Sequence, residues 1–171
     1  MSKTILEGRL TRNSFLALSK EIKQYKKNLN NALKLGVKEA SELFLQMVRD
    51  KCDEFNLSDH KDSIILEDIS TNTRVAYKIY TNDIVLIFHE FGTGINGEQD
   101  DWASSLNYTV NLSGKGEKGW YFYNEKGGYG GITHGLKQKH IFYECLKEIE
   151  PRLASEVQIV INKKLNYKKK V

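Results

Sequence analysis

Few residues of this chain have the types and spacing that chemistry requires. The four histidines are His60, His89, His134 and His140. His89 is followed by Glu90 but lacks the second histidine of a zinc-binding His-Glu-x-x-His helix, and His134 and His140 are too far apart for ligands on one helical turn. The spacing favours histidines with structural roles, and we predict no metal or other cofactor. A metal site assembled in space from distant segments remains open.

Nucleophilic and nucleotide chemistry find equally little support. The chain has no Gly-x-Ser-x-Gly motif, and Cys52 and Cys145 lie in segments with helical periodicity. Gly114, Gly116 and Gly119 match the spacing of a dinucleotide-binding loop. That loop needs a helix after it so that phosphate meets helical N–H groups, whereas the residues that follow here are typical of a strand. We therefore expect that the protein is not an enzyme.

Residues 84–94, IVLIFHEFGTG, form the centre of the chain. Five apolar residues lead to His89 and Glu90, and the segment ends at Gly92 and Gly94, which can adopt positive φ without steric cost. Periodicity cannot distinguish a buried strand from a short helix in so short a run, so both remain open for residues 84–91. The position of Glu90 after the apolar run predicts that it lies at the rim of the core.

A long amphipathic helix is predicted before this segment. Its apolar residues recur at spacings of three and four, and Gly36 marks a kink or a break. They are Phe15, Leu18, Ile22, Tyr25, Leu29, Ala32, Ala40, Leu43, Phe44, Met47 and Val48. Such a seam packs either on the protein's own sheet or on a neighbouring subunit. Two strand-like runs, residues 63–69 and 73–81, then predict a hairpin.

Residues 95–133 are predicted to be an insertion rich in glycine and aromatic residues. Alternation over residues 107–112 and the run 120–123 predict a projecting hairpin, and residues 126–131 read as a loop. The segment after them predicts helices, with a new one beginning near Pro151. The expected fold class is α+β, with a long N-terminal helix and C-terminal helices packed on a small, mainly antiparallel sheet.

The composition suits one domain, residues 1–171, with a flexible basic tail at residues 164–171. The chain has 171 residues, of which 40% are hydrophobic, enough for a core. No apolar run approaches the roughly 20 residues of a membrane span, so we expect no membrane partner. The two cysteines do not form the pattern of a disulfide framework, which favours an intracellular protein. Residues 1–40 carry nine basic and three acidic residues, whereas residues 41–162 carry 12 and 19. This asymmetry is compatible with nucleic acid, an acidic partner or subunits that pair basic ends with acidic bodies, and equally with a solvated lysine-rich helix face and a frayed tail.

The segment Glu90-Phe91-Gly92-Thr93-Gly94 resembles a motif of the small neck, or tail-completion, proteins that join heads to tails in long-tailed bacteriophages. In that family a helix leads to a Ser-Ile strand, here Ser63-Ile64, and an apolar run ends in Glu-Phe-Gly-Thr-Gly. After a variable insertion comes a Thr-x-Gly-hydrophobic element and an aromatic-rich helix, here Thr133-His134-Gly135-Leu136 and then Ile141-Phe142-Tyr143. The resemblance extends from about residue 15 to about residue 165.

The resemblance implies a structural protein at the head-tail junction, found in the virion and, during assembly, in the host cytoplasm. It implies a ring of copies of the chain, expected to be sixfold, around the DNA channel. Other neck and tail proteins would be partners, and non-specific contact with DNA is allowed. The residues assigned to assembly are Glu90, Phe91, Gly92, Thr93, Gly94, Trp102, Trp120 and Phe122. Glu90→Ala is predicted to weaken assembly more than folding. The alternative is a DNA-binding or nuclease-like phage accessory protein, which predicts salt-dependent DNA affinity.

Overall fold

The computed structural model describes residues 12–111, 118–123 and 128–166. Helix α1 spans Arg12–Glu54, and a 3₁₀ turn spans Ser58–Ser63. Strands β1 and β2 span Ile65–Asp68 and Tyr77–Tyr80. Helix α2 spans Ile84–Phe91, a second 3₁₀ turn spans Gly94–Asn96, and helix α3 spans Asp101–Ser105. Strands β3 and β4 span Trp120–Tyr123 and Tyr129–Thr133, and helix α4 spans Ile141–Asn166.

The fold class is α+β, which confirms the prediction: a long N-terminal helix, a C-terminal helix and small antiparallel sheets. Strands β1 and β2 pair from Ile65 opposite Tyr80 to Asp68 opposite Tyr77. Strands β3 and β4 form a separate pair that begins with Trp120 opposite Thr133. No helix in the described ranges has an apolar stretch long enough to cross a bilayer.

The main packing is between α1 and α4, which run antiparallel. Gly36 faces Val157 near one end of this pair, and a methyl group on Gly36 would lie 3.0 Å from the Val157 carbonyl oxygen. The predicted break at Gly36 and the predicted new helix near Pro151 are therefore wrong. Helix α1 continues through Gly36, where the missing side chain lets α4 approach closely, and α4 continues through Pro151.

The core lies where the second part of α1 meets α2 and the start of α4. Apolar side chains from four parts of the chain fill it, because each helix presents one apolar stripe there. The buried cluster consists of Val48, Cys52, Leu57, Ile64, Leu86, Ile141 and Cys145. Burial of this surface is the main favourable contribution to folding, at about 25 cal/mol for each Å² of apolar area removed from water.

Residues 84–91, which the sequence left open between strand and helix, form helix α2. Asp83 is its N-cap, and the Asp83 side chain accepts a hydrogen bond of 2.8 Å from the Val85 backbone N–H. A side-chain oxygen at this position satisfies one of the N–H groups that a helix start leaves without a partner. The cap therefore supplies the helix signal that periodicity alone could not.

The predicted projecting hairpin is wrong in its pairing. Tyr108 to Asn111 form no strand, because the Gln99 side chain accepts from the Val110 N–H and donates to the Tyr108 carbonyl oxygen, taking up their backbone groups. The partner of β3 is instead β4, which lies in the glycine-rich segment for which the sequence predicts a loop. Residues 164–166 of the predicted flexible tail belong to α4. Gly114, Gly116 and residues 167–171 lie outside the described residues.

Candidate functional site

The Glu90 carboxylate is the most highly connected polar group of the described core. Glu90 lies on the last turn of α2, and its side chain is only 3% exposed. Atom Oε1 accepts from Trp102 Nε1–H at 2.6 Å and from the Tyr143 N–H at 3.1 Å, and Oε2 accepts from the Phe142 N–H at 2.7 Å. We call Glu90, Trp102, Phe142 and Tyr143 the capping cluster.

The capping cluster caps the N-terminus of α4. Phe142 and Tyr143 lie in the first turn of that helix, where backbone N–H groups have no acceptor within the helix. The positive end of the helix dipole also favours an anion there. Glu90 supplies both the acceptors and the charge from more than 50 residues away, so a single side chain fixes how α2, α3 and α4 meet.

Burial raises the pKa of Glu90 above its ordinary value. The three N–H donors and the nearby His140 act in the opposite direction, because they favour the ionised form. A carboxylate that only accepts hydrogen bonds matches three donors directed at its two oxygens. The three donors thus offset part of the cost of burying the ionised form of Glu90.

Aromatic stacking and a second cap support the cluster. The Trp102 and Tyr143 rings stack with centroids 5.0 Å apart. Asp100 caps α3 by accepting from the Ala103 N–H at 2.8 Å, and another Asp100 oxygen lies 3.3 Å from His140 Nε2. His140 precedes α4 with a φ of 51°, a left-handed conformation that is uncommon for a residue with a side chain. The Asp100 contact therefore helps to hold an unfavourable backbone turn.

A backbone junction lies next to the capping cluster and joins the two ends of the insertion. The Thr93 N–H donates to the Leu136 carbonyl oxygen at 2.8 Å, and the Leu136 N–H donates back to Thr93 at 3.1 Å. The Ile95 N–H donates to the His134 carbonyl oxygen at 3.1 Å. We call residues 92–95 and 134–136 the glycine junction. It places the segment that follows β4 directly against the turn that follows α2.

Glycine is required on both sides of this junction. Gly94 has a φ of 62° and Gly135 a φ of 112°, a region that side chains rarely allow. A methyl group on Gly94 would collide with the His134 carbonyl oxygen, and one on Gly135 would collide with the Thr93 carbonyl oxygen. The two backbones can approach this closely only because neither residue carries a side chain.

The structure brings some of the predicted assembly residues together and leaves others apart. Glu90 and Trp102 are bonded to each other, and Phe91 stacks on Tyr108 with centroids 4.2 Å apart. Gly92, Thr93 and Gly94 are buried in the glycine junction. Trp120 is half-buried in β3, away from the cluster in sequence and in pairing, and Phe122 pairs through its backbone with Gly131 while its side chain lies outside the described residues.

The prediction that Glu90 lies at a rim is wrong. In helix α2 Glu90 stands one turn after Leu86 and faces the same side, so the burial of Leu86 carries Glu90 into the core. Because Glu90 and Thr93 are buried and bonded within the chain, they can serve assembly only by positioning surface residues. We therefore expect Glu90→Ala to weaken folding first, in contrast to the expectation from the sequence.

Sequence reasoning missed the backbone acceptors and donors that complete the site. The Leu136 backbone and the N–H groups of Phe142 and Tyr143 carry no residue-type signal, because every residue has them. Asp100 was a detectable signal, since an aspartate before a short helical run is a favoured N-cap.

Histidines and cysteines show no convergent chemistry in the described ranges. His60 Nδ1 lies 2.8 Å from an Asp83 oxygen, so this histidine supports the cap of α2. No group of three or more metal-ligating side chains is found among the described residues. Burial raises the pKa of both Cys52 and Cys145 to about 11, which keeps these thiols protonated and poorly nucleophilic.

An apolar groove of about 910 Å³ opens beside the capping cluster. It runs between α1 and α4 and is closed on its sides by β2, α2 and α3. Its walls include Leu33 and Phe44 of α1, Leu153 and Ile161 of α4, Ile87 of α2 and Leu106 directly after α3. A groove of this size that is lined by apolar side chains is suited to an apolar partner surface.

Fold and site together define a small α+β protein. Its capping cluster holds α2, α3 and α4 together and lies beside an open apolar groove. Comparisons of the chain with known protein families, with curated proteins and with solved structures find no match in any of the three.

Proposed function

We propose that the protein is a structural component of a tailed-phage virion at the head-tail junction, where copies assemble as a ring around the DNA channel. The observation that carries the proposal is the glycine junction. The Glu-Phe-Gly-Thr-Gly and Thr-x-Gly-hydrophobic elements are the two sequence elements on which the resemblance rests. They are about 40 residues apart in sequence and bond directly to each other through Thr93 and Leu136.

This contact supports the proposal because it gives the two sequence elements a common structural role, the formation of the glycine junction. The close approach needs Gly94 and Gly135, and the neighbouring carboxylate of Glu90 caps the helix that follows the second element. The insertion is the variable part of the resemblance, and the junction anchors it at both ends in this chain. The donors that surround Glu90 are used for internal positioning, which suits a scaffold.

Deletion of the gene from the genome that encodes it tests the proposal. Particles should accumulate as separate heads and tails, and a plasmid copy of the wild-type gene should restore joined particles seen by electron microscopy. The matched pair of plasmids carries Gly135→Ala, which disrupts the junction, and Gly130→Ala, at an exposed position of β4. Restoration is expected from Gly130→Ala alone. Joined, infectious particles in the deletion strain without any plasmid would refute the proposal.

A DNA-binding accessory protein is the second candidate, favoured by the exposed lysines of the first part of α1. Lys20, Lys23, Lys26 and Lys27 are all exposed within about two turns. Neutralisation of DNA phosphates by lysines gives an affinity that falls linearly on a log-log plot against salt. Tight binding to duplex DNA with such a slope, combined with normal head-tail joining in the deletion strain, would favour this candidate.

A further inference from the structure

The first part of α1 extends beyond the helix that covers the rest of it. All residues from 13 to 27 are described, and none of them is buried. Three apolar residues of the three-four seam are exposed there, with Phe15 70% exposed, Ile22 52% and Tyr25 59%, and Leu18 between them is half-buried. We call Phe15, Leu18, Ile22 and Tyr25 the α1 seam. A solvated helix end does not need an apolar stripe, so the α1 seam needs a partner.

The groove matches the α1 seam in character and length. On α1 the groove extends from Leu33 to Phe44, or about 17 Å along the helix axis. The seam from Phe15 to Tyr25 extends for about 15 Å. An amphipathic helix that lays its apolar stripe into a groove is a common mode of recognition.

The α1 seam of one molecule cannot reach the groove of the same molecule. Seam and groove wall are parts of one continuous helix, which would have to fold back on itself. Because the two surfaces differ, a contact between copies leaves one seam and one groove free for the next copy. Such a head-to-tail contact continues until a ring closes or a filament grows.

Charge favours the same pairing. Residues 12–27 carry five basic residues and one acidic residue, whereas residues 41–162, which include most of the groove, have the acidic excess. A symmetric pairing of two α1 seams would bring lysine-rich helices together over less than the three to four heptads that a coiled coil needs. Opposite charges steer the helix toward the acidic body of another copy.

We propose that the α1 seam of one copy docks in the apolar groove of a second copy, which gives a head-to-tail assembly of this chain. This inference deepens the proposed function, because it names the contact by which ring subunits would bind each other.

Two pairs of variants separate the surfaces. Ile22→Gln with Tyr25→Gln replaces two of the four apolar residues of the α1 seam. Leu16→Gln is its control, because Leu16 is 53% exposed on the same helix but lies off the seam. Ala154→Lys fills the groove and adds a positive charge at an exposed position, and Ser155→Lys is its control on the neighbouring, exposed position outside the groove. Glutamine and lysine are good helix formers, so all four proteins should fold.

Sedimentation of the purified full chain, from about 1 μM to about 1 mM, measures the assembly. The wild type and both controls should associate with increasing concentration. The seam variant and the groove variant should each need at least about tenfold more protein for half-assembly. A mixture of these two variants should form a one-to-one complex of two chains that stops there, because the seam variant has an intact groove and the groove variant an intact seam.

Three results would overturn the inference. A wild type that stays monomeric up to about 1 mM would show that the surfaces do not bind each other. A groove variant that assembles normally while the seam variant does not would show that α1 seams pair symmetrically. Equal assembly of all variants would show that another surface joins the copies. Normal head-tail function in the gene deletion would instead refute the proposed function and leave this contact standing.

Discussion

Residues 92–94 of the glycine junction are buried, whereas the first part of α1 is largely exposed to solvent, although the sequence makes both of them candidates for contact with other subunits. At the junction, backbone groups bond to each other, and Glu90 has three donors within the chain. In the first part of α1, apolar side chains such as Phe15 are largely exposed. The motif that carries the resemblance is therefore closed on itself, and the less specific helical seam is open.

This difference indicates which structural features restrict the residue types that a position accepts. Glycines with positive φ and a buried carboxylate restrict the sequence strongly, because few residues fit. An exposed apolar stripe restricts it weakly, since several apolar residues of similar size bind equally well. A specific motif can thus be a sign of internal architecture, while the binding surface is defined only by periodicity.

The largest loss of stability is expected from Gly135→Ala. The added methyl group collides with the Thr93 carbonyl oxygen at a φ of 112°, so the junction has to separate and its reciprocal hydrogen bonds are lost. We expect a decrease of more than about 4 kcal/mol in the free energy of unfolding, measured by urea denaturation. Gly130→Ala, at an exposed position of β4, is the control and should cost less than about 1 kcal/mol. Similar losses in both variants would mean that the junction is no tighter than an exposed strand.

Replacement of Glu90 should have the next largest effect. Glu90→Ala leaves the Trp102 indole and two α4 N–H groups without acceptors in a buried site, and should lower the free energy of unfolding by about 3 kcal/mol. Glu90→Gln keeps one oxygen acceptor but places an NH₂ group against an N–H donor, so about half of that loss is expected. Glu150→Ala, an exposed glutamate of α4, should change little. A loss in Glu90→Ala no larger than that in Glu150→Ala would contradict the capping role.

The raised pKa of Glu90 should make the free energy of unfolding depend on pH, an effect smaller than that of Glu90→Ala. Because this pKa is higher in the folded than in the unfolded chain, the folded chain keeps the proton over a range in which the unfolded chain has released it. The stability that Glu90 contributes is fully present below its unfolded pKa and falls as the pH rises through its folded pKa. The stability advantage of the wild type over Glu90→Gln should shrink between about pH 4 and about pH 8 in urea denaturation. An advantage that grows with pH would mean that the donors outweigh burial.

The sequence predicted elements that local signals define. Apolar spacing located α1, and the aromatic run from Trp120 to Tyr123 located β3. Asp83 could have decided between helix and strand for residues 84–91, because an aspartate before an apolar run is a favoured N-cap. Strand β4 was missed because glycines at residues 130 and 131 disfavour strands, and pairing with β3 overrides that preference.

The site depended on contacts that local signals do not encode. The bonds from Glu90 to Phe142 and Tyr143 cross more than 50 residues and end on backbone groups. Their existence follows from how α2 and α4 pack, which residue types alone do not determine. The same limit applied to Gly36, since glycine within a helix predicts a break unless a close neighbour such as Val157 is known.

Substitutions in the α1 seam should have the smallest effect on the free energy of unfolding, although substitutions in later turns of the same helix should have a larger one. Ile22→Gln with Tyr25→Gln should change the free energy of unfolding of the monomer by less than about 0.5 kcal/mol, because both side chains are already exposed. Ala32→Gln continues the same stripe but lies at a buried position, so it should cost about 1–3 kcal/mol through overpacking. The two variants should be compared by denaturation at protein concentrations too low for association, since self-association adds apparent stability by mass action. Equal costs at the exposed and the buried positions would mean that the first part of α1 is packed within its own chain, and would remove the distinction between the open surface and the closed one.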